Sequence, residues 1–202
     1  SSTSRGLGDV YKRQKEERKA KWDRHYFNER DAGNAYEFLT EAKCLIEEKF
    51  GRGHFSAADF AGGSGDTALW LSQQGFDTSL IELSTEAIEI AQAKARERNL
   101  SLKTISHDLE SSELLAGSWD LVVCSNFFDR RLFRMFDRYV KPGGLLFIRV
   151  ATTTNLERNV RPGKRFLADP DELLVLCKDF QIISHEEAVS YTHLTLPTNR
   201  EV

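Results

Sequence analysis

The chain has 202 residues, with 28 lysines and arginines against 31 aspartates and glutamates, a formal net charge of −3 at pH 7. A mildly acidic chain lacks the basic footprint of nonspecific DNA or RNA binding, so no nucleic-acid partner is expected. Apolar runs are far too short to span a bilayer, and the composition reads as one soluble, cytoplasmic domain with a substantial core. Cys44, Cys124 and Cys177 are odd in number, widely spaced and set in apolar contexts, as expected of reduced core thiols. With no C-x-x-C or H-x-x-x-H spacing, no metal site is expected.

In chain order, Lys15 to Lys21 is a charge run, expected as a solvated helix or frayed arm, and Trp22-Asp23-Arg24-His25-Tyr26-Phe27 breaks it with aromatics. Apolar residues at 35, 38, 39, 42, 45, 46 and 50 mark one face of a helix from Ala35 to Phe50, ended by Gly51 and Gly53. Phe55 to Phe60 reads as a short buried strand and Asp66 to Gln74 as a helix stopped by Gly75. Asp77 to Leu83 is the second strand; Ser84 is placed as N-cap of an Ala-rich helix to Arg98, and Asn99 suits its left-handed end. Leu100 to Ser106 and Trp119 to Cys124 are strands three and four, and Asp129 to Val140 is a helix ended by Lys141-Pro142-Gly143-Gly144. Strand five covers Leu145 to Val150; Asp169-Pro170-Asp171-Glu172 supplies cap, proline at N1 and glutamate at N3 for a helix to Lys178. Phe180 to Ser184 is a sixth strand. Strands alternating with helices predict an α/β, doubly wound, mostly parallel Rossmann-like sheet.

The chemistry concentrates at Asp59-Phe60-Ala61-Gly62-Gly63-Ser64-Gly65, with Glu82 seventeen residues beyond the last glycine. Strand, glycine turn, helix and strand form the opening unit of a nucleotide-binding fold, in which glycines let backbone approach a ligand. Gly63-Ser64-Gly65-Asp66-Thr67-Ala68 fits G-x-G-x-x-A, so an NAD(P)-linked oxidoreductase is one reading. In that class a pyrophosphate sits on the helix N-terminus. Asp59 and Asp66 flank the turn and would repel it, which favours a ligand without phosphate and with a cationic end: S-adenosylmethionine (SAM), with its ammonium and sulfonium. The plainer reading makes Asp66 an N-cap and Asp59 a strand-end residue. Glu82, ending the second strand, can accept from both hydroxyls of a ribose.

These residues resemble motif I of the class I SAM-dependent methyltransferases, and the similarity continues along most of the chain. Glu82 and Leu83 in SLIELS resemble the acidic end of strand two, and Asp108-Leu109 the pair whose carboxylate meets the adenine amino group. WDLVVCSNF (119–127) looks like strand four and its active-site loop, and KPGGLLFIRV (141–150) like the turn and fifth strand. NFFDRRLF and RPGKRFLADPDELL are similar to small bacterial methyltransferases of the tellurite-resistance, TehB-like type. Ala-Gly-Gly-Ser-Gly stands where that family usually has Ala-Cys-Gly-x-Gly. The resemblance implies a methyltransferase with SAM as cofactor and a small-molecule acceptor. It implies cofactor contacts at Asp59, Ala61, Gly62, Gly63, Gly65, Glu82, Leu83, Asp108, Leu109 and Asn126. In that family a W-D-x-x-Y segment closes over the cofactor; the plain alternative for Trp22 to Tyr26 is an arm packed on the core.

On the acceptor side, Phe128, Asp129, Arg161 and Arg165 are the candidates, with a core role the plain alternative for Phe128; Arg161, Lys164 and Arg165 sit in a glycine- and proline-bearing loop that suits either an anion or plain surface charge. Arg130, Arg131, Arg134 and Arg138 share a helix and read as a solvated face. No residue stands out as a general base. A catalytically silent SAM-binding module is the remaining alternative.

The ends read differently. Asp9 to Gln14 can be encoded by a stretch of DNA whose reverse complement, in a shifted frame, encodes Val189-Ser190-Tyr191-Thr192-His193. That stretch resembles the transposase mosaic end of sequencing libraries, so 1–14 and 189–202 are expected to be translated adapter, with residues 15–188 the domain. The antiparallel seventh strand of the class I sheet would then lack its native residues, and Tyr191 to Leu196 are expected to stand in or near its slot.

Overall fold

The computed structural model describes residues 2–28, 37–51, 53–157, 163–187 and 191–197. Its strands are β1 (Ser56–Phe60), β2 (Asp77–Glu82), β3 (Lys103–Ser106), β4 (Trp119–Ser125), β5 (Val140–Ala151), β6 (Ser184–Glu187) and β7 (Tyr191–Pro197). They form one sheet in the order β3-β2-β1-β4-β5-β7-β6. From β3 to β5 every pairing is parallel, and β7 runs antiparallel between β5 and β6. The helices are α1 (Ser2–Asn28), α2 (Glu37–Glu41), α3 (Lys43–Phe50), α4 (Asp66–Gln73), α5 (Thr85–Glu97), α6 (Arg130–Phe133), α7 (Phe136–Tyr139) and α8 (Glu172–Leu176).

The apolar runs of the central strands are continuous because both faces of the sheet are covered. Along β4, Leu121 and Val123 pack with Leu39, Phe50 and Trp70, while Val122 and Cys124 pack with Phe60, Phe133 and Phe136 on the other side. β5 repeats the alternation: Leu145 and Phe147 face one cluster, Leu146, Ile148 and Val150 the other. Between them Lys141-Pro142-Gly143-Gly144 bulges out, so Val140 pairs with Trp119 and Leu145 with Leu121. Gly144 permits this: a Cβ there would lie 2.6 Å from the Asp120 carbonyl oxygen.

Several expectations shift for local reasons. The helix expected over 35–50 breaks at Ala42; residues 35 and 36 lie outside the described residues. Leu100 donates to the Ala95 carbonyl (2.9 Å) and so closes α5, which delays β3 to Lys103. The helix expected over 129–140 divides at Arg134 and Met135, which brings Phe133, Phe136 and Tyr139 all into the core. Strand six starts at Ser184, not Phe180: Phe180 is buried in the core, while Ile182 and Ile183 are about half exposed before the strand pairs with β7. Cys124 and Cys177 are buried thiols, but Cys44 is exposed on α3, so a core role does not hold for it.

The seventh position is filled. Tyr191–Pro197 pair with β5 from Leu145 to Ala151 on one side and with β6 on the other. Leu196 is fully buried in the cluster that holds Leu146 and Ile148. At the other end, α1 is one continuous helix from Ser2, with residues 8–17 exposed and contacts beginning near Arg18.

Candidate active site

At the carboxyl end of β1 the chain turns through the glycine loop into α4. Ala61 adopts a left-handed conformation (φ 55°), unusual for a residue with a Cβ, and its N–H donates to the Ile81 carbonyl at 2.9 Å. Gly65 (φ 83°) is the N-cap of α4; a Cβ there would lie 2.7 Å from the Ala91 Cβ, so glycine lets α4 and α5 meet. Asp59 is 1% exposed and accepts from the Ala68 N–H in the first turn of α4 (3.1 Å). Burial, with the Glu82 and Asp66 carboxylates nearby, pushes its pKa up to about 8 despite that hydrogen bond. Asp66 is the first residue of α4 and not its N-cap; its carboxylate pairs with Lys94 of α5 at 2.8 Å. The repulsion of phosphate ascribed to Asp66 is therefore largely neutralised, and the acidity facing the loop belongs to Asp59 and Glu82.

Glu82 ends β2 as expected, but its oxygens are engaged by backbone. Oε2 accepts from the Gly63 N–H (3.0 Å), and Oε1 from those of Leu83 (2.7 Å) and Ser84 (2.9 Å). It thus pins the glycine loop to the start of α5, where Ser84 caps through its Oγ. Burial raises the Glu82 pKa, opposed by these three donors.

Asp108, just after β3, is buried and accepts from Arg18 of α1 through Oδ2 and from the Glu110 N–H (3.1 Å) through Oδ1. Arg18, Trp22 and Tyr26 recur at four-residue spacing and lie on one face of α1. The Tyr26 hydroxyl stands over Gly63, where a Cβ would come within 2.3 Å of it. Burial first, then the Glu82, Asp59 and Asp66 carboxylates, hold the phenol well above its ordinary pKa. Asp23 accepts from Ser84 Oγ at 2.7 Å. The aromatic segment thus covers the glycine loop and the β2 end. Arg18 was missed in the sequence because a lone arginine inside a charge run carries no signal of its partner.

Asn126 follows β4 in a left-handed conformation (φ 59°) and donates its N–H to the Arg149 carbonyl (2.8 Å). The neighbouring Ser125 Oγ is buried with no hydrogen-bond partner among the described residues. Leu109 and Phe128 belong to the core cluster, and Asp129 spends its carboxylate capping α6 through the Leu132 N–H (2.8 Å). Beyond them lies a cavity of about 410 Å3, lined by Phe128, Asp129, Arg130, Arg131, Arg134 and Arg165 among others. Three of the four arginines read as a solvated face thus form a pocket wall, because the break between α6 and α7 and the loop holding Arg165 enclose them; Arg138 is exposed away from it. Arg161 lies outside the described residues. Asp171, His185 and Glu187 bring possible metal-ligand atoms within 4.8 Å of one another at the β6 edge, a grouping that their spacing in sequence does not announce.

The three buried carboxylates Asp59, Glu82 and Asp108 have one cationic contact among the described residues, Arg18. Such a set fits a cationic nucleoside better than a dinucleotide diphosphate. Residues 57–144 match the family described as methyltransferase domain. No curated protein matches the chain in sequence. Among solved structures, TehB from Haemophilus influenzae aligns with TM-score 0.69 at 15% identity, covering 86% of this chain and 65% of that one, just under two thirds of its length. An S-adenosylmethionine-dependent methyltransferase from Clostridium acetobutylicum ATCC 824 aligns with TM-score 0.66 at 15% identity, covering 86% and 95% of the two chains. Magnesium protoporphyrin IX methyltransferase from Synechocystis PCC 6803, with S-adenosylhomocysteine (SAH) bound, gives 0.64 at 15%, covering 81% and 82%. At these identities the structures establish the fold. Together with the sheet order, they give the chain the Rossmann-like fold of the class I methyltransferases, with a methyltransferase-domain match over residues 57–144.

Proposed function

We propose that this chain transfers the methyl group of SAM to a small-molecule acceptor by in-line displacement, with the cofactor along the carboxyl ends of β1, β2 and β3. The observation that carries this reading is the trio of buried carboxylates beside a glycine loop. Asp59 faces the region suited to the ammonium of a methionine moiety, Glu82 the ribose and Asp108 the adenine amino group. Gly62, Gly63 and Gly65 keep the loop backbone accessible, Ala61 and Leu83 flank it, and Leu109 walls the adenine side. Because Oε1 of Glu82 already accepts twice, Oε2 is the atom left to take a ribose hydroxyl. Ser125 and Asn126 border the region where the methyl group would be presented.

SAM supplies an electrophilic sulfonium methyl when bound, so the chain need not generate one. Its task is to hold an acceptor lone pair in line at near-attack distance and to exclude water, effects worth up to about 7–11 kcal/mol. Tyr26, Trp22 and the rest of the covering face of α1 suit the second task. An NAD(P)-linked reading is disfavoured because a diphosphate would lie beside Asp59 and Glu82, and among the described residues the basic side chain at the loop is Lys94, which Asp66 already engages.

The test is calorimetric titration of the full chain with SAH and with NADH, followed by transfer of radiolabelled methyl from SAM to a panel of small thiols, phenols and amines. SAH should bind and NADH should not. Tighter binding of NADH than of SAH would overturn the assignment.

A further inference from the structure

The cavity of about 410 Å3 beside the β4 end carries charge of the opposite sign to the cofactor region. Four guanidinium groups line it. Arg130 is engaged by Glu172 at 2.5 and 2.8 Å, Arg165 by Glu110 at 2.7 Å, and Arg131 by the Leu109 carbonyl at 3.1 Å with Asp129 at 3.9 Å. Arg134, exposed at the break between α6 and α7, has no carboxylate partner among the described residues. Among the described residues the wall therefore holds one positive charge beyond those its own carboxylates compensate.

Two of the guanidinium groups already lie against aromatic rings. Arg130 lies over the Phe128 ring, 4.7 Å from its centroid, and Arg165 over the Phe166 ring at 4.3 Å. A guanidinium is itself planar and stacks on aromatic faces, so these two groups suit a flat ligand. The volume falls within the range of pockets for organic ligands, and an inorganic oxyanion would leave most of it to water. Position agrees with use by an acceptor: Asp129 and Phe128 follow β4, and Glu110 lies two residues past Asp108.

We propose that this cavity is the acceptor subsite and takes a small planar organic carboxylate, lying against Arg130 and Arg165 and anchored by Arg134. The carboxylate is the handle and not the methylated atom; the nucleophile lies elsewhere on the acceptor. This rests on the methyl-transfer reading above, but binding of the anion can be measured apart from it.

The full chain is titrated calorimetrically with 4-hydroxybenzoate, anthranilate and indole-3-acetate, with their methyl esters, and with tellurite, each with and without SAH. At least one acid should bind roughly tenfold or more tighter than its ester, the scale of a charge-assisted hydrogen bond. Arg134→Ala should erase that preference and Arg134→Lys should restore part of it, while SAH affinity stays within about twofold, since the side chain is exposed and bonds none of the three carboxylates. Equal binding of acids and esters, no binding by any of the three acids, tellurite binding tighter than every acid, or a preference that survives Arg134→Ala would each overturn the proposal. Acid binding with the expected Arg134 dependence in a chain that binds no SAH would uphold the anion subsite and sink the methyltransferase reading.

Discussion

The carboxyl edge of the sheet is divided by charge. Over β1 to β3 it buries Asp59, Glu82 and Asp108, each below 7% exposure, under α1. Over β4 and the segment before α8 it opens into a cavity walled by four arginines. The acidic half is closed: Asp59 and Glu82 accept from backbone N–H groups, and Asp108 divides its oxygens between the Glu110 N–H and Arg18. The basic half is open, and Arg130 and Arg165 pair with the carboxylates of Glu172 and Glu110. Backbone partners fix geometry, whereas side-chain partners can be exchanged for ligand. On the reading proposed above, the first half holds one ligand in one pose, and the second is the part that can be adapted to an acceptor.

The sharpest break in that comparison comes from Glu82→Ala. It leaves the Gly63, Leu83 and Ser84 N–H groups without their acceptor, and a buried unsatisfied donor costs about 1–3 kcal/mol. Relief of a buried carboxylate near Asp59 offsets part of this, so the expected net loss is about 3 kcal/mol, a large share of the 5–15 kcal/mol typical of a domain. Urea unfolding of the ligand-free chain measures it, and SAH affinity should fall with it. A variant more stable than the parent would show that Glu82 is held in place for ligand alone.

Asp59 tests the same half through pH. Its folded pKa is raised to about 8 from 3.8, so between these values the folded state keeps a proton that the unfolded state has released. The contribution to stability is full below about pH 4 and lost as pH rises through about 8, at up to about 1.4 kcal/mol per unit. The ligand-free chain should lose stability over that window, and a cationic ligand should bind more tightly as Asp59 ionises. Asp59→Asn keeps an acceptor for the Ala68 N–H. It should flatten the pH dependence and raise the unfolding midpoint at pH 8, while weakening SAM by roughly tenfold to a hundredfold. A pH profile unchanged by Asp59→Asn would assign the titration elsewhere.

Arg18→Ala asks whether α1 competes with ligand or completes the site. Arg18 occupies Asp108 in the ligand-free chain, and its loss leaves a carboxylate only 2% exposed without a cation, ready for the amino group of a ligand. Removing it should therefore tighten SAH a few-fold by calorimetry. Tenfold weaker binding would instead make Arg18 a wall of the cofactor site.

How much of this was legible in the sequence follows the range of the contacts. The glycine turn, Glu82 at the end of β2, Ser84 as N-cap and the left-handed Asn99 are local matters, decided within a few residues, and the structure places them as read. Arg18 on Asp108, Lys94 on Asp66 and the pairing of Arg130 with Glu172 join residues 28 to 90 apart in the chain, and neither propensity nor periodicity encodes them. The capping box over 169–172 shows the boundary: Glu172 reaches back to the Asp169 N–H at 2.9 Å as the motif predicts, yet the residue before α8 is Asp171 in a left-handed conformation, and Glu172 is shared with Arg130. The seventh strand is legible only as strand-compatible composition, and its place was set by the slot between β5 and β6.

The smallest expected effect belongs to Asp66. In sequence it stands beside Asp59 as an equal contributor to the acidity of the loop. In the structure its carboxylate turns away to Lys94 and lies near Ser64 Oγ, on the α5 side of the turn. A partly exposed pair contributes about 0–1 kcal/mol, and a single acidic residue in the first turn of α4 adds about 0.3–1 kcal/mol through the helix dipole. Asp66→Ala should therefore lower stability by about 1 kcal/mol and leave SAH affinity within twofold, where Asp59→Asn does not. Lys94→Ala separates the two contributions, since it removes the pair and keeps the dipole interaction, and its loss should be the smaller. If Asp66→Ala weakens SAH as much as Asp59→Asn, the acidic half extends across the whole loop and Lys94 does not neutralise it.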